Sequence, residues 1–341
     1  MFESLGITLL TAPQAVVVFG LVLGAAFGLF AERTRFCLRR AVVGQDRRQA
    51  AGVWLIALAV AILGTQGAVA LGWIGFADHR FHAPDLPLAA ILTGGLLFGA
   101  GMVLARGCAS RLTVLAGTGN LRALIALGVF AITAKATISG VLAPIPQVLA
   151  QVTVPLGGAL PPVLAPLLGL AALAFALRSG NRASTLVTAA LLGALVPLAW
   201  VGTGFVFQDD FDPVAFESLA FTAPFAETLF WSSAATAVAP GFGVGLVAGV
   251  FLGAAASAAL GRRSHWQSFT SPDQTGRSLA GGALMGIGGV LAGGCSVGAG
   301  LAGLPTLGIA AALALAAIVS GAWLTNALLT SRSATPAVPA E

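Results

Sequence analysis

The chain has 341 residues, of which 57% are hydrophobic and 9% are charged. Because soluble globular domains carry about 25% charged residues, this composition excludes a soluble domain and indicates a polytopic membrane protein. The net charge of +5 combines 16 arginines and one lysine with 12 acidic residues. The arginines stand in short segments between apolar runs, which is typical of the positive-inside bias of membrane proteins and not of nucleic-acid binding.

Nine apolar runs approach the roughly 20 residues that cross a lipid bilayer as a helix. They cover about 15–31, 51–75, 88–105, 123–143, 163–177, 185–206, 237–260, 279–293 and 306–329. Continuous apolar runs favour helices over the alternating pattern of membrane strands. The sequence therefore predicts an all-α polytopic membrane protein with about nine transmembrane helices, its N-terminus outside and its C-terminus inside.

The first cysteine follows the first apolar run. Cys37 stands in the segment AERTRFCLRR, where four arginines surround it. Nearby positive charge favours the thiolate form, although the segment is equally consistent with a positive-inside loop that contains an incidental cysteine. After the second run, His79 and His82 lack a third ligand at zinc spacing. We expect this loop to be solvated and to hold no metal.

The two other cysteines end copies of one duplicated segment. Leu92–Cys108 and Leu279–Cys295 match at 11 of 17 positions at a constant offset of 187. Gly107, Gly293 and Gly294 before these cysteines suit a break in the helix. A short helix that begins at the thiol would direct backbone N–H groups and a positive dipole towards it, a geometry that binds anions. The alternative is a glycine-packed helix pair with buried, inert cysteines.

The duplication predicts an inverted repeat with short broken or re-entrant helices. We expect a first half at 1–145, connector and scaffold helices at 146–235, a second half at 236–330 and a disordered tail at 331–341. A second likeness, Gly20–Gly28 with Gly245–Gly253, conflicts with an inverted repeat, because on the nine-run topology both copies would run in the same direction. Either a re-entrant turn follows one copy or the number of spans differs by one. We also expect the polar and aromatic segment 207–236 to cover the external face.

Candidate pathway residues are the thiols and the polar groups near the expected breaks. They are Cys37, Cys108, Cys295, Arg106, Arg111, Ser110, Ser296 and Lys135. Lys135 is the one lysine and lies within a span, where a cation costs about 2.5–3.5 kcal/mol; it either serves the pathway or donates to backbone carbonyls. No nucleotide-binding or metal motif is present, so no cofactor is predicted. An odd number of cysteines leaves one thiol over if a disulfide forms.

The motifs GGALMGIGGVLAGGCSVGAGLAG, ARGCAS and RFC resemble the YeeE/YedE family of bacterial inner-membrane sulfur transporters. The resemblance covers most of the chain. It implies an hourglass-like fold, with inverted repeats and short helices that meet at a waist lined by Cys37, Cys108 and Cys295. It also implies thiosulfate as the transported ion and a TusA-like sulfur carrier as a possible cytoplasmic partner, although some relatives are linked to selenium.

The sequence hypothesis is uptake of thiosulfate through a cysteine-lined waist by weak thiol hydrogen bonds. Cys108 and Cys295 would form the paired contacts, and Cys37 would lie nearer the cytoplasmic mouth. The rival hypothesis is a membrane thiol-redox enzyme or sulfurtransferase, in which a cysteine holds a persulfide. A third, a scaffold subunit of a larger complex, is disfavoured by the duplicated cysteine segment.

Overall fold

The computed structural model describes residues 10–209, 211–264, 266–269 and 271–333. Within them the chain is helical, with isolated β-bridges instead of strands. The helices are α1 Ala12–Thr34, α2 Leu38–Val43, α3 Arg47–Ala70, α4 Leu88–Leu104, α5 Ala109–Gly117, α6 Leu121–Ser139, α7 Pro144–Ala150, α8 Leu164–Leu177, α9 Ala183–Val201, α10 Thr222–Ala234, α11 Phe242–Leu260, α12 Pro272–Leu291 and α13 Ile309–Ser333. Two π-helices, Gly202–Val206 and Ser296–Gly303, continue α9 and follow α12.

Seven helical spans in the described ranges are long and apolar enough to cross a membrane. An eighth is formed if α12 and the segment Ser296–Thr306, bent by 41° at their junction, count as one broken span. α8 is apolar but only 14 residues long. The all-helical, multi-pass class predicted from the sequence is confirmed. The number nine stays a prediction, because it depends on counting α8 as a crossing.

Two predicted segment boundaries fall differently in the structure. α13 continues to Ser333, so the first residues of the expected tail are helical and 334–341 lie outside the described residues. The sequence predicts an external cover at 207–236, but the part at 218–226 lies largely in the interior. Leu219 and Phe221 are fully buried, and α10 begins directly after them. Composition alone could not distinguish an aromatic cover from an aromatic core segment.

Glycines allow α1 and α11 to pack backbone against backbone. Gly20, Gly24 and Gly28 face Phe242, Leu246 and Val250, and in return Gly245, Gly249 and Gly253 face Val17, Leu21 and Ala25. Residue numbers rise together along both helices, so α1 and α11 are parallel. The second sequence likeness therefore reflects two parallel helices that share one glycine spacing and contact each other through it. It is separate from the inverted relation expected of the cysteine segments.

The duplicated segments also pack against each other, but in opposite directions. Gly94 in α4 lies against Leu291 and Ala292, whereas Gly101, further along α4, lies against Gly281 in α12. α4 and α12 are therefore antiparallel, the relation that an inverted repeat requires of equivalent helices. Since helices of the predicted first and second halves interleave in this way, the two halves share one core.

Candidate functional site at the three cysteines

All three cysteines follow the same backbone turn. Arg35, Arg106 and Gly293 adopt left-handed conformations, with φ of 53°, 58° and 70°. Each lies two residues before a cysteine, and each ends a long helix. Cys37, Cys108 and Cys295 then occupy the N-cap positions of α2, α5 and the π-helix Ser296–Gly303. Every thiol thus lies at a break between a long helix and a short one.

The expected break glycines differ in what they do. Gly293 carries the positive φ itself, and a Cβ added at Gly294 would lie 2.9 Å from the Ala299 nitrogen. At Gly107 the nearest atom to an added Cβ is the Leu112 Cδ2 at 3.3 Å, and φ is not positive. In the first copy the left-handed residue is Arg106, so that break depends less on Gly107 than the sequence suggested.

One of the three thiols is capped by a backbone N–H group. The Gly298 N–H donates to Cys295 Sγ at 3.3 Å, which is the side-chain-to-N3 pattern of a helix N-cap with sulfur as the acceptor. The Cys37 and Cys108 side chains make no cap hydrogen bond, although the N–H groups of Arg40 and Arg111 lie near enough to favour their charged forms. The first turn of the short helix therefore fixes the thiol at Cys295.

The three free thiols are buried, and Cys108 interacts with each of the other two. Cys108 lies within hydrogen-bonding range of Cys37, its Sγ is 3.3 Å from the Ser110 Oγ, and it also contacts the Ser296 hydroxyl. Ser296 directly follows Cys295, whose thiol interacts electrostatically with Cys108. Cys108 is consequently the middle member of the line, between Cys37 and Cys295, an order that sequence spacing did not reveal.

Arg111 lies beside the Cys37 and Cys108 thiols, within range of their charge. It also lines a cavity of about 700 Å³, named here the inner vestibule, whose other lining residues include Arg33, Arg35, Arg262 and Arg263. Glu32 is the acidic lining residue, and its carboxylate accepts hydrogen bonds from Arg263 at 2.7 Å and Ser257 at 2.9 Å. This side of the thiol line is therefore strongly positive.

Two predicted pathway cations lie elsewhere. Arg106 is exposed and lines a separate cavity of about 220 Å³ with Arg122 and Arg277. Lys135 contacts α10, where its Nζ lies 4.1 Å from the centre of the Phe230 ring and within range of the Glu227 charge. Arg106 is close to Cys108 in sequence but does not line the cavity beside the thiols. The left-handed turn at Arg106 lies between the long helix and Cys108, so its side chain lines a different cavity.

Aromatic residues that sequence reasoning missed lie close to the thiols. Phe27 contacts Phe36 and Phe221, with ring centres 6.2 and 5.5 Å apart, and none of the three is more than 2% exposed. Phe36 directly precedes Cys37, and the Phe221 backbone N–H lies near enough to Cys295 to favour its charged form. Phe36 was visible in the RFC motif, but no local signal marked Phe221, which comes from a distant segment.

A second cavity, of about 370 Å³, lies on the Cys295 side of the thiol line and is named here the outer vestibule. Its lining includes Asp78, His79, Arg80, Glu217, Glu227 and Gly298. The loop at 78–82, which the sequence predicts to be solvated, is solvated only in part. Asp78 and Arg80 are exposed, whereas Phe81 is only 4% exposed and a His82 ring nitrogen lies 2.8 Å from the Thr306 carbonyl oxygen. The thiols thus lie between two polar cavities.

The sequence of this chain matches a known protein family over most of its length. A family model described as sulphur transport matches residues 33–180 and again 172–324. The chain belongs to the sulphur transport family. The resemblance inferred from the cysteine motifs is thereby confirmed, and membership identifies a multi-pass membrane transporter and not an enzyme.

Two curated relatives within this family extend over nearly the whole chain. The thiosulfate transporter TsuA of Escherichia coli strain K12 is 28% identical over 352 residues, covering 92% of this chain and 95% of its own length. The thiosulfate transporter TsuA of Spirochaeta thermophila is 30% identical over 329 residues, covering 89% of this chain and 96% of its own length. The likeness therefore includes the regions around all three cysteines.

Proposed function

We propose that this protein imports thiosulfate across the bacterial cytoplasmic membrane along the line of Cys295, Cys108 and Cys37. One observation carries the proposal: three buried, free thiols lie in a row between two polar cavities, with Cys108 within interaction range of both Cys37 and Cys295. The similarity to two thiosulfate transporters supports the choice of substrate.

The chemistry of the line suits a soft, sulfur-containing dianion. Thiols are weak donors and weak acceptors, so each can contact the ion without holding it, as conduction through several sites requires. The N-termini of the short helices provide positive electrostatic potential at the thiols. Arg111, together with the hydroxyls of Ser110 and Ser296, adds donors along the line.

The distribution of charge supports an orientation of the protein in the membrane with the inner vestibule facing the cytoplasm. Arginines dominate the inner vestibule, and the positive-inside bias assigns such a surface to the cytoplasm. The outer vestibule then opens to the outside. A cytoplasmic TusA-like sulfur carrier could receive the ion or its sulfur at the inner vestibule, whose charge is complementary to an acidic partner surface.

The test is uptake of radiolabelled thiosulfate by proteoliposomes that contain the full chain. Hydrogen bonds to charged groups contribute about 1.5–3 kcal/mol, so Cys108→Ala should slow uptake roughly 10- to 100-fold, and Cys108→Ser should retain more activity because it keeps a donor. Gly128→Ala is the control, since no atom lies within 4 Å of a Cβ added there. Undiminished uptake by folded Cys108→Ala and Cys295→Ala proteins would remove the proposed route.

Mass spectrometry of the protein after turnover addresses the sulfurtransferase alternative. A transporter that contacts the ion only through hydrogen bonds leaves the cysteines unmodified. A stable persulfide that forms at the rate of uptake would instead indicate covalent transfer, because sulfur would then pass through a bond to the protein.

A further inference from the structure

The outer vestibule has an unexpected charge for the mouth of an anion transporter. Among the described residues, its lining contains three carboxylates, Asp78, Glu217 and Glu227, but only one permanent cation, Arg80. The cavity reaches Gly298, whose N–H donates to Cys295. An incoming dianion must therefore pass ionisable acids directly before the first thiol, and ionised carboxylates at this place would repel it.

Arg80 lines this cavity from an anchored backbone turn. It begins the 3₁₀ turn Arg80–His82, which is held by the buried Phe81 ring and by the contact of His82 with Thr306. The residue is exposed, and its guanidinium carbon lies 5.2 Å from the centre of the Phe81 ring. Neither ion pair in the described part of the chain involves Arg80. Its charge interacts with Glu217 and with Cys295, so both the acid and the thiol lie within its electrostatic range.

Glu217 faces Arg80 across the cavity on a fixed backbone. Its N–H donates to the Thr203 hydroxyl at 3.2 Å, and its carbonyl accepts from the same hydroxyl at 2.6 Å. Burial, and secondarily the charge of Glu227, raises the pKa of Glu217 to about 7, whereas Arg80 opposes the rise. Glu217 therefore changes charge in the range where the outer medium is near neutral.

The other titratable groups around the vestibule do not replace Glu217 in this role. Burial lowers the pKa of His79 to about 4, with Arg80 and His82 adding to the effect, so His79 is neutral near pH 7. Burial also raises the pKa of Glu227, but the charge of Lys135 opposes that shift. Asp78 is exposed. These residues belong to the segments between α3 and α4 and between α9 and α11, outside the spanning helices.

We propose that the outer vestibule is a proton-linked anion-binding site, in which Arg80 binds the oxygen atoms of incoming thiosulfate and Glu217 takes up a proton from the outer solution. The inference rests on the proposed function. Bringing a dianion next to an ionised carboxylate costs energy that protonation removes, so anion and proton bind together. The neutralised site then contains one cation and a neutral acid beside the Cys295 thiol.

The sign of the pH dependence follows from linkage. Below the pKa of Glu217 in the empty site the acid is already protonated, and the affinity for thiosulfate is highest and constant. Above that pKa each binding event must supply a proton, so the affinity falls by up to about tenfold per pH unit. It becomes constant again above the still higher pKa of the occupied site.

The test measures thiosulfate binding to the purified full chain by calorimetry from about pH 6 to about pH 9, in buffers that differ in ionisation enthalpy. The heat difference between buffers counts the protons taken up. We expect close to one proton per thiosulfate near pH 8 and a decline in affinity across this range. Glu217→Gln should abolish the proton uptake and the decline in affinity with pH, while it keeps the affinity measured at low pH. Arg80→Gln should weaken thiosulfate binding at every pH.

Asp85→Asn is the matched control, because Asp85 is an exposed carboxylate of the same loop outside the cavity, and it should behave as the unmodified protein. Binding without proton uptake would overturn the inference, and so would a pH dependence that persists in Glu217→Gln or disappears only in Glu227→Gln. All three outcomes leave thiosulfate transport intact. Failure of the unmodified protein to take up thiosulfate at any pH would instead contradict the proposed function.

Discussion

A single methyl group at Gly281 should disturb both the stability of the protein and its thiol line. Gly281 lies in α12 where this helix crosses the end of α4. An alanine Cβ there would lie 2.6 Å from the Ala105 nitrogen, 2.7 Å from the Gly101 oxygen and 2.9 Å from the Ala105 Cβ. These distances are roughly 0.7–1 Å below ordinary van der Waals contact. Most of the atoms are backbone, so the two helices must separate.

The size of the effect follows from two opposing terms. Forcing extra volume into a packed contact costs about 1–3 kcal/mol, and replacing glycine by alanine within a helix recovers up to about 1 kcal/mol. We therefore expect Gly281→Ala to lower the free energy of unfolding by about 1–2 kcal/mol. Ala105 is three residues from Cys108, so thiosulfate uptake should fall as well.

The assay is denaturant unfolding of the purified protein in detergent micelles, with Gly128→Ala as the matched variant. Gly128 lies on the exposed face of α6, and an added Cβ meets no atom within 4 Å. That variant should unfold at the same denaturant concentration as the unmodified protein or at a higher one. Equal stability of the two variants would refute the close contact of α4 with α12.

Two further predictions concern residues around the thiol line. Gly293→Val should destabilise the protein more than Gly293→Asn, because φ is 70° there and a β-branched residue tolerates the left-handed region least; unfolding midpoints compare the two, and equal midpoints would argue against this turn. Lys135→Met should leave thiosulfate uptake unchanged, since Lys135 contacts Phe230 and not the thiols; a loss of uptake with the fold retained would place Lys135 on the route.

Much of the architecture could be predicted because membrane helices are encoded locally. Apolar runs predicted the spans, and the glycine spacing of the duplicated segment predicted a close helix contact and a break before each cysteine. The identity of the residue in the left-handed conformation was less predictable. Glycine fills this position before Cys295, but arginine fills it before Cys37 and Cys108, because the end of a helix tolerates a non-glycine residue at a modest cost.

The outer vestibule could not be predicted, because its walls come from distant parts of the chain. Arg80 and His79 lie in a short polar loop that any local criterion assigns to solvent. Their place at the cavity depends on Phe81, which packs against Gly303 and Gly308, and on Trp200 and Phe216 around the half-buried His79 ring. Likewise, Phe221 lies near Cys295 only because the segment after α9 enters the core. No local sequence pattern predicts that this segment is buried.

The N-cap arrangement of the cysteines restricts where their protons can point. Each sulfur lies at the N-terminus of the helix that follows it, and the Cys295 sulfur accepts the Gly298 N–H group. The single S–H group of each cysteine can then face the neighbouring thiol, a hydroxyl or a passing ion. Such a row presents hydrogen-bond donors and few spare acceptors. Solutes that are themselves rich in donors, such as ammonium or sugars, would find no counterpart along it, and a fully deprotonated anion would find one at every step.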